Sequence, residues 1–129
     1  MEIKRFEDLE IWQSARSICK FIYEISKTGN FCKDYKFRSQ IMNSSGSIMD
    51  NIAEGFERDG NKEFVQFLSI AKGSCGETRS QSYRAFDYEY INEQQLEELI
   101  NSTTMLSKSI GGFINYLKKS NYKGRKYKD

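Results

Sequence analysis

Histidine does not occur in this 129-residue chain, and neither does proline. The first absence removes whole classes of chemistry. Ser-His-Asp and Cys-His catalysis, His-ligated zinc and the Glu-x-x-His di-iron sites of ferritin-like bundles all need an imidazole. The second absence leaves nothing that demands a kink, a rigid turn or a Pro-rich linker, so long uninterrupted helices are expected. Cysteine is sparse: Cys19, Cys32 and Cys75 are widely spaced, odd in number and form no C-x-x-C pair. That excludes a disulfide framework and a cysteine-ligated zinc site, and the three read as small buried thiols. No apolar run approaches the roughly 20 residues that a membrane span needs. The opening "MEIKRFEDLE" has no apolar block of the signal-peptide kind, so a cytoplasmic location without a membrane is expected.

Catalytic motifs are equally scarce. No P-loop, Rossmann glycine pattern or EF-hand is present. "SICK" (17–20) and "SIAK" (69–72) fit the S-x-x-K pattern of penicillin-binding enzymes, but the companion S-D-N and K-T-G elements are missing. A pattern met twice without its partners is chance. "NSS" at 43 and "NST" at 101 match the glycosylation pattern but fall in expected helices of a cytoplasmic chain, and are set aside. No nucleophile–base or metal–carboxylate set is visible, so the expectation is a non-enzyme with no catalytic residue, no metal and no cofactor.

What the chain does hold is helical periodicity. Residues 7–27 place Ile11, Ala15, Ile18, Ile22 and Ile25 on one face, with Glu7, Asp8 and Glu10 in the first turn and Gly29 as a left-handed cap. Residues 34–57 align Phe37, Ile41, Ser44, Ile48, Ile52 and Gly55, and Asp59-Gly60 signals the turn that follows. Residues 61–90 align Phe64, Phe67, Leu68, Ala71, Cys75, Thr78 and Ala85, with Tyr83, Phe86 and Tyr90 widening the apolar face. Asn92 and Gln95 form a capping box in front of residues 93–119, where Leu96, Leu99, Thr103, Leu106, Ile110, Phe113 and Leu117 make a heptad seam. The economical solution is an all-α fold, an antiparallel up-down-up-down four-helix bundle over residues 1–120, followed by a basic tail at 121–129.

The stretch "NSSGSIMDNIAEGFE" (43–57) is rich in poor helix formers, yet Ile41, Ile48 and Ile52 keep their phase across it, which a loop has no reason to do. It reads as helix. Similar small clusters occur around Gly73–Gly76 and at Gly111-Gly112. A mid-helix glycine costs about 1 kcal/mol relative to alanine. Close approach of neighbouring helices, with Trp12 and the phenylalanines filling the space opposite, is the expected compensation. Inside this motif Glu54 is expected to pair with Arg58 one turn on, and Glu77 with Arg79, Lys72 or a residue across an interface.

Charge is unevenly spread. The formal net charge is only +2, but the last twelve residues, "KKSNYKGRKYKD", carry a net +5 and the rest of the chain −3. Basic residues interleaved with tyrosine suit nucleic acid: phosphates meet the cations and bases stack on the rings. A solvated terminus that aids solubility is the alternative. The candidate nucleic-acid contacts are Lys118, Lys119, Lys123, Arg125, Lys126 and Lys128, with Arg38, Arg79 and Arg84 extending the surface. Tyr83, Phe86 and Tyr90, with Tyr23, Tyr88 and Tyr116, exceed what a thin bundle core needs, and Tyr83, Phe86 and Tyr90 are taken as a candidate subunit interface.

One resemblance is specific. "QI" (40–41), "SIMDNIAEG" (47–55), "EF" (63–64), "FLSIAKGS" (67–74) and Glu77 resemble the signature of the bacterial 23S rRNA intervening-sequence protein family, and the likeness runs from "FEDLEIWQSA" onward. Asn51, Ala53, Glu54, Gly55, Gly73 and Ser74 carry its core motif. The resemblance implies a four-helix bundle that assembles as a homopentamer. Relatives serve as accessory proteins of retroelement reverse transcriptases and bind the polymerase and nucleic acid through a basic surface. It brings no catalytic residues. Met42-Asn43 stands where the family often has a basic pair, and Ile48-Met49-Asp50 where Ile-Pro-Ser is common. Two functions are thus expected: a homo-oligomeric scaffold or accessory that contacts RNA or DNA and a reverse transcriptase or other protein, or an adaptor for a protein partner alone.

Overall fold

The computed structural model describes residues 3–120. Five helices account for nearly all of them: α1 (Glu10–Ser26), the short α2 (Gly29–Lys33), α3 (Tyr35–Glu57), α4 (Asn61–Asp87) and α5 (Glu93–Lys119). There is no strand among the described residues. The four long helices fit a four-helix bundle. Helix α3 packs on both α1 and α4, α4 also packs on α5, and α1 meets α5 over a shorter stretch.

The buried positions follow the sequence periodicity closely. Ile11, Ala15, Ile18 and Ile22 of α1, Phe37, Ile41, Ile48 and Ile52 of α3, Phe64, Leu68, Ala71 and Cys75 of α4, and Leu99, Leu106, Ile110 and Leu117 of α5 converge in one core. Each large side chain so enclosed contributes about 1.5–3 kcal/mol relative to exposure. Helix α5 opens with both halves of its capping box, Gln95 N donating to Asn92 Oδ1 at 2.8 Å and Asn92 N donating to Gln95 Oε1 at 2.9 Å.

Several boundaries differ from those read in the sequence, each for a local reason. Helix α1 starts at Glu10 rather than residue 7, because Leu9 is extended and buried, and Phe6–Asp8 form a separate 3₁₀ turn whose Phe6 ring lies 5.2 Å from Trp12. Only Glu10 is therefore in the first turn of α1. Gly29 is left-handed (φ +67°), but it opens α2 instead of ending the chain's helical run. That helix exists to bury Phe31, which is almost fully enclosed. Helix α4 stops at Asp87 rather than residue 90. Glu89 adopts φ +63°, its N–H donates to Phe86 O and the N–H of Tyr90 to Ala85 O, both at 2.9 Å. This is a Schellman cap made with a glutamate in the position glycine usually takes.

Segment 43–57 is continuous helix within α3. The explanation for its small residues, however, holds at one glycine. A Cβ on Gly55 would lie 2.7 Å from Phe67 Cβ and 2.9 Å from Phe64 Cδ1, so α3 and α4 meet at a distance only glycine allows. A Cβ on Gly46, Gly73, Gly76 or Gly112 would meet nothing within 4 Å, and on Gly111 only Lys72 Cε at 3.5 Å. Close approach within the chain is not the reason for those five.

The serines join α3 to α4 instead. Thr78 Oγ1 donates to Ser44 Oγ at 2.9 Å and Ser44 Oγ to Gln81 Oε1 at 2.6 Å, in a fully enclosed relay. Ser47 and Ser74 hydroxyls lie 2.9 Å apart, and Asn51 Nδ2 donates to Ser47 O at 2.8 Å. Such paired polar groups fix the register of one helix on the other, since a slip would leave them buried and unbonded.

Candidate functional site

The end of the molecule formed by the last turn of α1, α2, the first turns of α3 and the last of α4 gathers aromatic rings and cations. The foundation is a ring cluster. Phe31 stacks on Tyr90 (5.2 Å) and on Phe37 (5.7 Å), and Tyr88 meets Phe37 edge-on at 5.5 Å. Asp34 locks the cluster to the backbone: its Oδ1 caps α3 by accepting from Phe37 N (3.1 Å) and its Oδ2 accepts from Tyr90 Oη (2.6 Å). Those two hydrogen bonds, the Tyr90 one first, hold the Asp34 carboxyl below its ordinary range, while the same bond pushes the Tyr90 phenol up. A lowered carboxyl contributes its stability above the ordinary carboxylate range and loses it as pH falls through the lowered value.

Cations rest on these rings. The Arg84 guanidinium lies 4.8 Å over Phe37 and 5.6 Å over Tyr88. Arg38 lies 5.7 Å over Tyr23, and its Nε donates to Ser26 Oγ at 3.0 Å. Lys27 also sits 5.7 Å over Tyr23, but Glu24 binds its ammonium at 2.9 Å. Lys33 and Lys36 are exposed beside them and have no ion-pair partner among the described residues. A guanidinium laid on a ring is oriented without being neutralised and keeps for a phosphate those N–H groups not already given away, here by Arg38 Nε to Ser26 Oγ and by a terminal nitrogen of Arg84 to Tyr88 Oη at 3.3 Å. Exposed Tyr23, Tyr35 and Tyr88 present ring surface in the same region.

Of the residues singled out in the sequence, Arg38 and Arg84 are brought together here. Arg79 is not: it reaches Thr104 Oγ1 of α5 at 3.2 Å. Lys118 and Lys119 close α5 at the other end, where Asn61 Nδ2 donates to Leu117 O at 2.9 Å. Lys123, Arg125, Lys126 and Lys128 lie outside the described residues. Tyr90 is engaged inside the chain, Phe86 is half-buried against the core, and Tyr83 is exposed. Lys33, Lys36 and Tyr35 went unremarked in the sequence. The signal was "KDYKFR" (33–38), the same interleaving of cation and ring that marks the tail.

The family-like motif sits on the α3–α4 seam rather than in a cleft. Asn51 and Ser74 belong to the hydroxyl bridge, Gly55 to the contact with Phe67, Ala53 is half-buried, and Gly73 faces open space. Glu54 pairs with Arg58 at 3.0 Å as expected, and both are about half exposed. Arg58 also lies 5.1 Å over Phe67 and 3.8 Å from Glu63. Glu77 makes no ion pair with Arg79 or Lys72. Cys75 is buried and donates to Thr103 O (3.2 Å), and Cys19 is half-buried and donates to Ser45 O (3.1 Å). Burial pushes both thiols up, away from reactivity. Cys32 is half-buried as well, so one of the three thiols is enclosed rather than all. Among the described residues no group of three or more acidic or cysteine side chains is placed to hold a metal ion, and no helix is long and apolar enough to cross a membrane.

Comparison with known proteins adds three findings. Residues 7–112 match the family model described as 23S rRNA-intervening sequence protein. Among solved structures, a protein of unknown function from the S23 ribosomal protein family of Bacteroides thetaiotaomicron is similar, with 25% sequence identity and a TM-score of 0.73. The match covers 81% of this chain and 97% of that one. No curated protein matches the sequence.

Proposed function

This chain belongs to the 23S rRNA-intervening sequence protein family, and on that premise we propose that it is a non-enzymatic, homo-oligomeric accessory protein that holds single-stranded nucleic acid. The observation that carries this reading is the cation-on-ring arrangement of Arg38 on Tyr23 and Arg84 on Phe37 and Tyr88, flanked by the unpaired Lys33 and Lys36. Phosphates would meet the guanidinium edges while bases stack on exposed tyrosines, a mode that tolerates many sequences and weakens with salt. Lys118 and Lys119, in the last turn of α5, would add a second contact, and the basic residues of the tail would contribute to binding.

Four finer features complete the proposal. The bundle runs antiparallel, up-down-up-down, a reading supported by the meeting of Asn61 with Leu117 and of Tyr90 with Asp34. Copies associate, as the pentamer of the resemblance implies, through the outward face of α4. There Ser69, Gly73, Gly76 and Ser80 recur at heptad spacing beside Ile70 and Tyr83, which are 52% and 50% exposed. The work is done in the cytoplasm. The protein partner is a reverse transcriptase or another nucleic-acid enzyme.

The test is binding of a labelled single-stranded RNA and DNA oligonucleotide across a salt series. Arg38→Ala with Arg84→Ala should weaken binding and lower the log–log salt slope by about 1.4, near 0.7 per lost phosphate contact. An unchanged slope in the double variant, with binding lost on removing residues 121–129, would move the site to the tail. No binding by either nucleic acid would leave the adaptor reading. Light scattering reads assembly: a 15.1 kDa species that does not change with concentration would remove the oligomer.

A further inference from the structure

The seam between α1 and α5 is the least closed of the bundle, and two depressions of about 750 and 450 Å³ run along it. They share Ser14, Met105 and Ser109, so they form one trough. Its lining extends from Glu98 to Tyr116 on α5, about 27 Å at 1.5 Å per residue. The floor is apolar, with Ile18, Leu106 and Phe113, and Met105 stands in the middle with 68% of its surface exposed.

The walls are small, and two of their four hydroxyls are already bonded within their own helices. Ser14, Ser17, Ser102 and Ser109 face the trough. Ser17 Oγ donates to Gln13 O at 3.2 Å and Ser102 Oγ to Glu98 O at 2.8 Å. A hydroxyl already bonded to its own helix can be covered by apolar surface without leaving a donor unsatisfied. The charged groups in the lining are Asp8, Glu10 and Glu98, all acidic. Asp8 is shared with Arg5 at 3.4 Å, whereas Glu10 and Glu98 have no ion-pair partner among the described residues.

We propose that this trough receives an amphipathic helix of a partner protein, with an apolar stripe laid on Met105 and the floor and lysines or arginines along its flanks facing Glu10 and Glu98. Small walls, an apolar floor and a methionine at the centre are the terms on which a helix enters a groove. The sign of the lining selects cationic flanks. On the chain's described surface the large apolar side chains exposed outside the trough, Tyr23, Tyr35, Ile70, Tyr83 and Tyr88, are scattered and form no stripe on one helix, so a second copy does not present the stripe this occupant needs. The inference concerns a different surface from the cation-bearing end, so it stands or falls apart from nucleic-acid binding.

The experiment uses the full chain and two synthetic peptides of about 18 residues, the length of the trough. Both carry leucine at positions i, i+3, i+4 and i+7; one has lysine elsewhere and the other glutamate. Binding is read by calorimetry and mapped by backbone amide NMR shifts. The lysine peptide should bind at least tenfold tighter than the glutamate one and move the amides of α1 and α5 around Ser14, Met105 and Ser109. Ser109→Arg, an exposed position, should cut that affinity about tenfold, while Asn43→Arg, exposed on α3 and outside the trough, should leave it unchanged. Equal affinity for both peptides, shifts centred elsewhere, or no effect of Ser109→Arg would each overturn the proposal. So would finding that Ser109→Arg splits an assembly of this chain, which would give the trough to a second copy.

Discussion

Gly55 and Gly76 occupy equivalent-looking clusters of small residues, yet one is enclosed and the other faces nothing. At Gly55, α3 comes so near α4 that an added Cβ would touch Phe67 Cβ at 2.7 Å. At Gly76 the same added atom has open space around it. The first glycine is explained by the fold of one chain. The second sets a poor helix former in the middle of a 27-residue helix with no gain inside that chain to offset it. Small residues in a helix therefore carry two different messages, and only coordinates separate a contact within the molecule from a face kept bare.

The sharpest way to break this distinction is Gly55→Ala. Phe67 Cβ is tied to the α4 backbone and cannot rotate away, so the helices must part. We expect a loss of about 2–3 kcal/mol, the cost of overpacking a tight site, seen as a lower denaturant midpoint with unchanged m-value. A loss below about 0.5 kcal/mol would mean that α3 and α4 separate freely there and that Gly55 is no more constrained than Gly76.

Next in size is Ser44→Ala, which probes whether the serines of the enclosed seam act through hydrogen bonds rather than through smallness. Removing the hydroxyl leaves Gln81 Oε1 without the 2.6 Å donor and Thr78 Oγ1 with only Ser74 O, at 2.9 Å. An expected destabilisation of about 1.5 kcal/mol follows from stranding a buried acceptor. Ser44→Ala combined with Gln81→Leu should recover part of it, because both polar partners then go together. Chemical denaturation of the two variants measures the difference.

These two regions also mark how far the sequence could be read. The core stripes of α1, α3, α4 and α5 were legible because burial on one face imposes a 3.6-residue period, and the capping box at Asn92 because its two hydrogen bonds need two residue types at a set spacing. The hidden parts lacked such a rule. Helix α2 is too short to show a period and is held by one side chain, Phe31. Glu89 takes a left-handed cap for which glycine is the usual sign, so the end of α4 carried no signal. The candidate site was half legible: Arg38 and Arg84 stood out by charge, but their convergence depends on Asp34 tying Tyr90 to the start of α3 across 56 residues of chain. The glycines misled for a related reason. Sequence records that a side chain is missing, and is silent on what lies opposite.

The smallest effect bears hardest on the outward face. Gly76→Ala adds a methyl group to open space, so in dilute solution the chain should gain up to about 1 kcal/mol from helix propensity alone. If copies meet along Ser69, Gly73, Gly76 and Ser80, that methyl group holds the facing helices apart, and assembly should weaken while the single chain grows firmer. The two responses have opposite signs, which is what makes the variant informative: thermal melting at low concentration reads the first and sedimentation across a concentration series reads the second. A firmer chain with unaltered assembly would place the contact between copies elsewhere and leave the bare glycines of α4 without a role in it. A weaker chain at every concentration would mean that Gly76 is constrained within its own molecule, and the contrast with Gly55 would disappear.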